Sequence, residues 1–317
     1  MHTTAIDPTE PRGDEIDRRK LLKCMAWVGT GLIWTFAGGV LTACDPIERF
    51  NGHKQADFSF AQISDSHIGF DKDPNHDVTA TFQAAITKLN GAPTAPAFVL
   101  HTGDLSHLSK PEEFDTVDQG LRAAKTERIF YVPGEHDVFA DNGQAFLGRY
   151  GKGTVGSGWQ SFDYKGVHFV GLVNVLNLQA GGLGTLGQEQ IAWLTKDLAG
   201  LATSTPVVVF AHVPLWMVYP QWGWGTDDGE QALGLLRRFG SVTVLNGHIH
   251  QIMQKVEGNI TFHTARATAF PQPAPGTAPA PGPLNVPADQ LRAMLGVTSV
   301  NYVENHGPLA IMDATLG

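Results

Sequence analysis

The sequence predicts an α/β domain over residues 58–317, and three observations predict it. Apolar runs of strand character alternate with stretches of helical spacing. Five of those runs end in Asp or His. The 317-residue chain, 42% hydrophobic and 17% charged, has the length and composition of one large globular domain or two small ones.

The elements follow in order along the chain. DFSFAQIS is a strand that ends in Asp65-Ser66-His67, and residues 76–90 follow with helical spacing. AFVLHTGDLSH carries the second strand, whose apolar part ends at Gly103-Asp104, and residues 111–126 read as a helix. RIFYVPGEHD is the third strand. Beyond its Pro133-Gly134 turn stand Glu135, His136 and Asp137 in succession, more polar residues than a turn requires. SFDYKGVHFVGLVNV reads as a hairpin turning at Lys165-Gly166, and residues 187–200 as a helix. PVVVFAHVPL is a buried strand ending at His212, and SVTVLNGHIH another, ending at His248 and His250. Residues 271–287 hold seven prolines and read as a loop or linker. Residues 288–296 read as a helix, the remainder as short strands, and there is no internal repeat.

Composition narrows the function. Net charge is −9, and residues 1–43 balance five basic against five acidic side chains, so the deficit falls on residues 44–317. An acidic body without a basic stripe is a poor partner for DNA or RNA, which sets aside nucleic-acid polymers as ligands. Cys24 and Cys44 both precede the domain, leaving no disulfide or thiolate within it. Any metal site there uses His, Asp, Glu or Asn, a donor set suited to Zn, Mn or Fe.

The amino-terminal segment reads as an address. Asp17-Arg18-Arg19-Lys20 precedes an apolar run from Met25 to Leu41 and resembles a twin-arginine export signal. The run ends LTAC, which resembles the lipobox in which the cysteine, here Cys44, is acylated and becomes the new N-terminus. Asp45 resembles an inner-membrane retention signal. The expectation is a signal over 1–43, a tether over 44–57, and a lipid-anchored protein in the periplasm or on the outer face of the cytoplasmic membrane. An uncleaved transmembrane anchor is the alternative.

In α/β folds the carboxyl ends of neighbouring strands gather along one edge, where ligands bind. Asp65 and His67, like His248 and His250, are spaced i, i+2 and are expected on one side of an extended segment. Asp65, His67, Asp104, Glu135, His136, Asp137, His212, His248 and His250 are therefore expected at one site.

This constellation resembles the calcineurin-like metallophosphoesterases. Their pattern D-x-H, G-D, G-N-H-D/E, H, G-H-x-H reads here as DSH, GD, GEHD, H and GHIH across residues 58–264. The resemblance implies a four-layer sandwich, two mixed β-sheets face to face with helices on both outer sides. It implies two metal ions, Fe, Mn or Zn, with mixed Fe/Mn or Fe/Zn pairs allowed. Asp65, His67 and His250 would hold the first ion, Asp104 would bridge, and His212, His248 and Glu135 would hold the second. His136 would meet the phosphoryl charge or protonate the leaving oxygen, oriented by Asp137. Purple acid phosphatases carry a tyrosine where His107 stands, and GDLSHLSKPEEFD is similar to a stretch of bacterial cyclic-nucleotide phosphodiesterases.

The implied function is hydrolysis of a small phosphomonoester or phosphodiester, cyclic nucleotides favoured, by metal-activated hydroxide. Hydrolysis of a phospholipid or lipid-linked phosphate is an alternative, and a catalytically silent metal-binding envelope lipoprotein another. The last rests on Glu135, which puts a full charge where the family has a neutral asparagine. His107, on the loop after Asp104, and Trp222 and Trp224, beyond His212, are expected to touch substrate; His101 is expected to pack or hydrogen-bond. Oligomeric state leaves no signal.

Overall fold

The computed structural model describes residues 56–317 apart from 177, 179–180 and 305–307. The export signal, the lipobox with Cys44 and most of the tether lie outside the described residues. Among the described residues no helix is long and apolar enough to cross a membrane.

The chain runs β1 (Phe58–Ile63), α1 (Val78–Asn90), β2 (Val99–His101), α2 (Pro111–Leu121) and β3 (Ile129–Tyr131). A 3₁₀ turn (Glu135–Asp137) and α3 (Gln144–Tyr150) lead to β4 (Gln160–Tyr164) and β5 (Val167–Gly171). Then come α4 (Gln188–Ala199), β6 (Val207–Ala211), α5 (Gly229–Leu236) and β7 (Val242–Asn246). The chain closes with β8 (Gln254–Glu257), β9 (Ile260–Thr264), α6 (Ala288–Met294), β10 (Gly296–Tyr302) and β11 (Ala310–Thr315).

Two mixed sheets result, ordered β11-β10-β1-β2-β3 and β4-β5-β6-β7-β9-β8. Strands β1, β2 and β3 are parallel, as are β5, β6, β7 and β9, while β4, β8 and β10 run against these neighbours and β11 pairs antiparallel with β10. The β4–β5 hairpin turns at Lys165 and Gly166, both at positive φ, the geometry that matches strand twist in a two-residue turn.

Strand alternation builds the layers. Phe58 and Phe60 of β1 join Phe98, Leu100, Phe169, Val208, Phe210 and Leu245 between the sheets. Ala61 and Ile63 face the other way, against Phe82 and Ile86 of α1 and Phe114 and Val117 of α2. On the second sheet Val207, Val209 and Ala211 pack outward on Leu194 and Leu198 of α4 and Leu233 and Leu236 of α5. The order is helices, sheet, sheet, helices. Phe60 stacks on Phe98 at 5.2 Å and meets Phe169 edge-on at 5.3 Å, so aromatic rings fill the middle layer. Each fully buried ring contributes roughly 1.5–3 kcal/mol of transfer free energy.

One sequence reading changes and one is narrowed to the loop of its two alternatives. The helix read over 111–126 stops at Leu121, because Asn90 takes over the next backbone groups: its side chain donates to the Ala123 carbonyl and accepts from the Lys125 amide, both at 2.7 Å. The proline-rich stretch is a loop folded into the domain rather than a linker. Pro271 and Pro273 are buried, and Gln251 donates to the Pro273 carbonyl at 3.0 Å.

Candidate active site

Strands β1, β2 and β3 bring one set of polar residues to the edge of the first sheet; β6 and β7 bring a second set from the other. The two sets meet. Asp65 Oδ1 lies 3.3 Å from His250 Nε2 and 3.9 Å from His212 Nε2, contacts that join the sheets at this edge.

The ligand residues do not sit on extended backbone. β1 ends at Ile63, and Asp65 and His67 adopt φ of 53° and 41°; Asp104, His248 and His250 stand at 52°, 70° and 52°. The expected sharing of a pleated face by Asp65 and His67, and by His248 and His250, is therefore corrected. Left-handed backbone, held by bonds such as Asp65 N–H to the Gly103 carbonyl and His67 N–H to the Asp104 carbonyl, turns these side chains inward. Such residues are strained by about 1–2 kcal/mol each and cluster at functional sites. Gly134 is required for a different reason: a Cβ there would lie 2.0 Å from Asp104 Oδ1.

Two groups of ligand atoms converge. Asp65, His67, Asp104 and His250 form one, wholly buried, and Glu135, His212 and His248 form the other, each with its ligand atoms within 4.8 Å of one another. Asp104 Oδ2 is 3.4 Å from both His67 Nε2 and His212 Nε2, so it faces both groups. Glu135 reaches His212 Nε2 at 2.8 Å and His248 Nδ1 at 3.0 Å through different oxygens. The rings are aimed from behind: His212 Nδ1 donates to the Thr102 carbonyl and His250 Nδ1 to the Phe270 carbonyl, both at 2.7 Å. Each bond fixes the tautomer and leaves Nε2 as a free ligand nitrogen.

The donor set fits a pair of hard or borderline metal ions. Asp65 Oδ2, Glu135 Oε2, His212 Nε2 and His248 Nδ1 are buried yet make no aligned hydrogen bond, despite approaches as short as 2.8 Å. Glu135, His212 and His248 belong to one donor group and Asp65 to the other, and such clusters of buried donor atoms suit cations. Electrostatics agree. Burial would raise Asp65, but His250 and His212 hold it at about 2. Burial would also raise Glu135, and His248 and His212 draw it well below the carboxylate range. Burial and the neighbouring His136 ring push His67 far below the imidazole range, keeping its nitrogens available for coordination.

His136 stands beside both groups, with a ring nitrogen that also clusters with donor atoms of Asp104 and Glu135 and of His67 and His107. Its Nδ1 donates to the His107 carbonyl at 2.7 Å, its backbone N–H donates to Asp104 Oδ1 at 2.9 Å, and its ring packs edge-on against His67 at 4.6 Å. Burial works against its charge, but Asp104, Glu135 and the His107 carbonyl together raise its pKa.

The role expected of Asp137 is corrected. Its carboxylate accepts from Leu105 N–H, Ser106 N–H, Ser106 Oγ–H and Gly134 N–H at 2.8–3.1 Å. In a 3₁₀ turn successive side chains diverge, so Asp137 points back to pin the loop carrying Asp104 while His136 points into the site. The His107 carbonyl orients His136. That partner left no trace in the sequence, because every residue has a carbonyl; nor did Thr102 and Phe270, which act in the same way.

The structure also places the residues expected to touch substrate. His107 is half-buried, stacks on His136 at 4.8 Å and brings Nδ1 to 3.4 Å from His67 Nδ1. Trp222 and Trp224 are 7% and 1% exposed and pack with Ile249 beneath the His248–His250 turn, so neither offers an open ring face. His101 is buried with Nε2 at 2.9 Å from Ser66 Oγ, outside both ligand groups.

A model of the calcineurin-like phosphoesterases matches residues 58–252. The chain belongs to this family. The phosphoesterase is 28% identical over 226 residues to the glycerophosphodiester phosphodiesterase GpdQ of Enterobacter lignolyticus, covering 67% of this chain and 78% of the relative. It is 24% identical over 221 residues to a 3′,5′-cyclic-nucleotide phosphodiesterase of a Nostoc species, covering 67% and 79%. In fold it is similar to a dimetal phosphatase from Danio rerio, with a TM-score of 0.62 at 15% identity over 83% of this chain and 99% of that one. A purple acid phosphatase from yellow lupin gives a TM-score of 0.58 at 15% identity over 83% and 52%. The family is dimetal-dependent, and the phosphoesterase is a hydrolase with candidate residues for two ions.

Proposed function

We propose that the protein is a dimetal phosphodiesterase acting on small phosphodiesters, with cyclic nucleotides the favoured class. The observation that carries this reading is Asp104, which faces both ligand groups while its other oxygen accepts the His136 backbone amide. Two relatives named as phosphodiesterases support the diester over the monoester.

Asp65, His67, Asp104 and His250 would hold one ion, and Asp104, Glu135, His212 and His248 the other; when bound, the pair supplies an activated water and neutralises charge on the phosphoryl group. Thr102 and Phe270 keep the histidine ligand nitrogens aimed. His136, its Nδ1–H fixed on the His107 carbonyl, presents Nε2 to donate a proton to the leaving oxygen or a hydrogen bond to the phosphoryl oxygen. Glu135 adds negative charge, which lowers attraction for an anionic substrate and strengthens retention of the ion it holds.

Assays of the purified protein with bis-p-nitrophenyl phosphate, a 3′,5′-cyclic nucleotide and a glycerophosphodiester, under Mn, Fe and Zn, test this reading. Turnover of a diester that is lost on chelation and in Asp104→Asn is expected. Two tightly bound ions with no turnover of any ester would leave a silent metal-binding protein instead. Turnover of phospholipid vesicles alone would favour the lipid reading, which the proposed tether motivates.

We further propose export in the folded state and lipid attachment at Cys44, from the twin arginines followed by LTAC. Mass spectrometry of the mature protein is expected to find an acylated N-terminal Cys44. A mature chain retaining residues 25–43 would refute cleavage.

A further inference from the structure

Phe139 is an exposed aromatic ring beside His136. Among the described residues, the exposed large hydrophobic side chains are Leu108, Phe139, Val155, Met217, Val256 and Met312, and Phe139 is the one aromatic ring in that set, 59% exposed. Single exposed apolar residues are ordinary on protein surfaces. Phe139 is distinguished by what it touches. Its ring meets that of His136 edge-on, with centroids 4.8 Å apart and planes at 65°. His136 in turn stacks on His107 at 4.8 Å and 17°, and His107 meets Phe70 edge-on at 5.3 Å. A run of rings therefore leads from solvent at Phe139 through His136, the side chain proposed to face the phosphoryl group, to His107 and Phe70. Leu108, 45% exposed and next to His107 in sequence, adds a second apolar side chain on the other loop that holds His136.

We infer that Phe139 is a specificity-determining residue, forming a subsite for an aromatic ring carried by the phosphodiester, a nucleobase or an aryl group. The inference rests on the proposed phosphodiesterase reading. An aromatic face next to His136 lies within reach of a group attached to either ester oxygen. A flat ring can cover the exposed face of Phe139 with little loss of conformational entropy, and one such stack changes binding by roughly tenfold. A flexible alkyl group gains less from a single ring and loses more freedom. The buried Trp222 and Trp224 offer no comparable surface.

The test compares kcat/KM for a ring-bearing diester, bis-p-nitrophenyl phosphate or a cyclic nucleotide, with that for a glycerophosphodiester carrying no ring. Wild type, Phe139→Ala and Phe139→Leu are measured at saturating metal with metal content checked. The ratio of ring-bearing to ring-free kcat/KM is expected to fall about tenfold in Phe139→Ala, mainly through KM, and to fall in Phe139→Leu as well. An unchanged ratio in Phe139→Ala, including equal loss on both substrates, would overturn the inference and leave Phe139 as packing for His136. A full ratio in Phe139→Leu would also overturn it, since any apolar side chain would then serve. A wild type that hydrolyses neither ester would instead refute the phosphodiesterase reading itself, so the two failures are distinct.

Discussion

His136 Nδ1 lies 2.7 Å from the carbonyl oxygen of His107, and this bond decides which nitrogen of His136 is free. With Nδ1–H committed, Nε2 is the group available to substrate. Replacing His136 with Ala is expected to lower kcat by about 100- to 10,000-fold, the range for loss of a general acid. Metal content, measured by elemental analysis, is expected to stay at the wild-type level. Loss of an ion in the variant would make His136 a ligand instead.

Glu135 bridges His212 and His248 with its two oxygens. Glu135→Asn removes one negative charge while keeping one donor oxygen. The variant is expected to need more added metal for full activity and to shift away from Mn or Fe preference, yet to retain turnover once saturated. Metal titrations followed by activity and elemental analysis check both halves. Unaltered metal content and identity would remove Glu135 from the ligand set.

Asp137 accepts four hydrogen bonds at full burial. In Asp137→Asn the side-chain NH₂ must oppose at least one of these donors, leaving a buried N–H without a partner. A loss of about 1–3 kcal/mol in urea unfolding is expected. Activity should fall with it, because the pinned loop carries Asp104. An unchanged unfolding midpoint would contradict the assignment.

Away from the site, His168 sits between Asp163 at 2.8 Å and Asp197 at 2.9 Å. Burial disfavours its charge, but the bonds to Asp197 and Asp163 raise its pKa. A histidine with a raised folded value contributes stability in full below its unfolded value of about 6.5, and the contribution is lost as pH rises through the folded value. The stability advantage of wild type over His168→Gln, from denaturant midpoints, is therefore expected to shrink over the window that opens at the unfolded value of about 6.5 and closes above the raised folded value. An advantage that stays constant or grows over that window would show that the pair is not ionic.

What the sequence disclosed follows from what residue identity can encode. Asp65, His67, Asp104, Glu135, His212, His248 and His250 were legible because only a few side chains coordinate metal, and each followed an apolar run. The αββα layering was legible only through the family resemblance; alternation such as Phe58 and Phe60 against Ala61 and Ile63 is how the structure realises it. The aiming of His136, His212 and His250 was not, because carbonyls of His107, Thr102 and Phe270 do it. Asp137 misled because adjacency in sequence suggested contact with His136, whereas the 3₁₀ turn separates them. Trp222 and Trp224 misled because composition does not say which side of an aromatic-rich loop faces inward. Helix α5 lay hidden behind that same loop.

The left-handed ligand turns come from both sheets: Asp65, His67 and Asp104 follow strands of one, His248 and His250 a strand of the other. The centre is thus a clasp across the seam of the sandwich, and cations held by the candidate ligand groups would tighten it. Metal supply would then bear on mechanical integrity as well as chemistry. When ions are scarce, the seam would ease first at this edge, while the aromatic layer around Phe60, Phe98 and Phe169 holds the rest closed. Starvation for metal would then show as heightened susceptibility to proteases at the loops bearing Asp104 and His248.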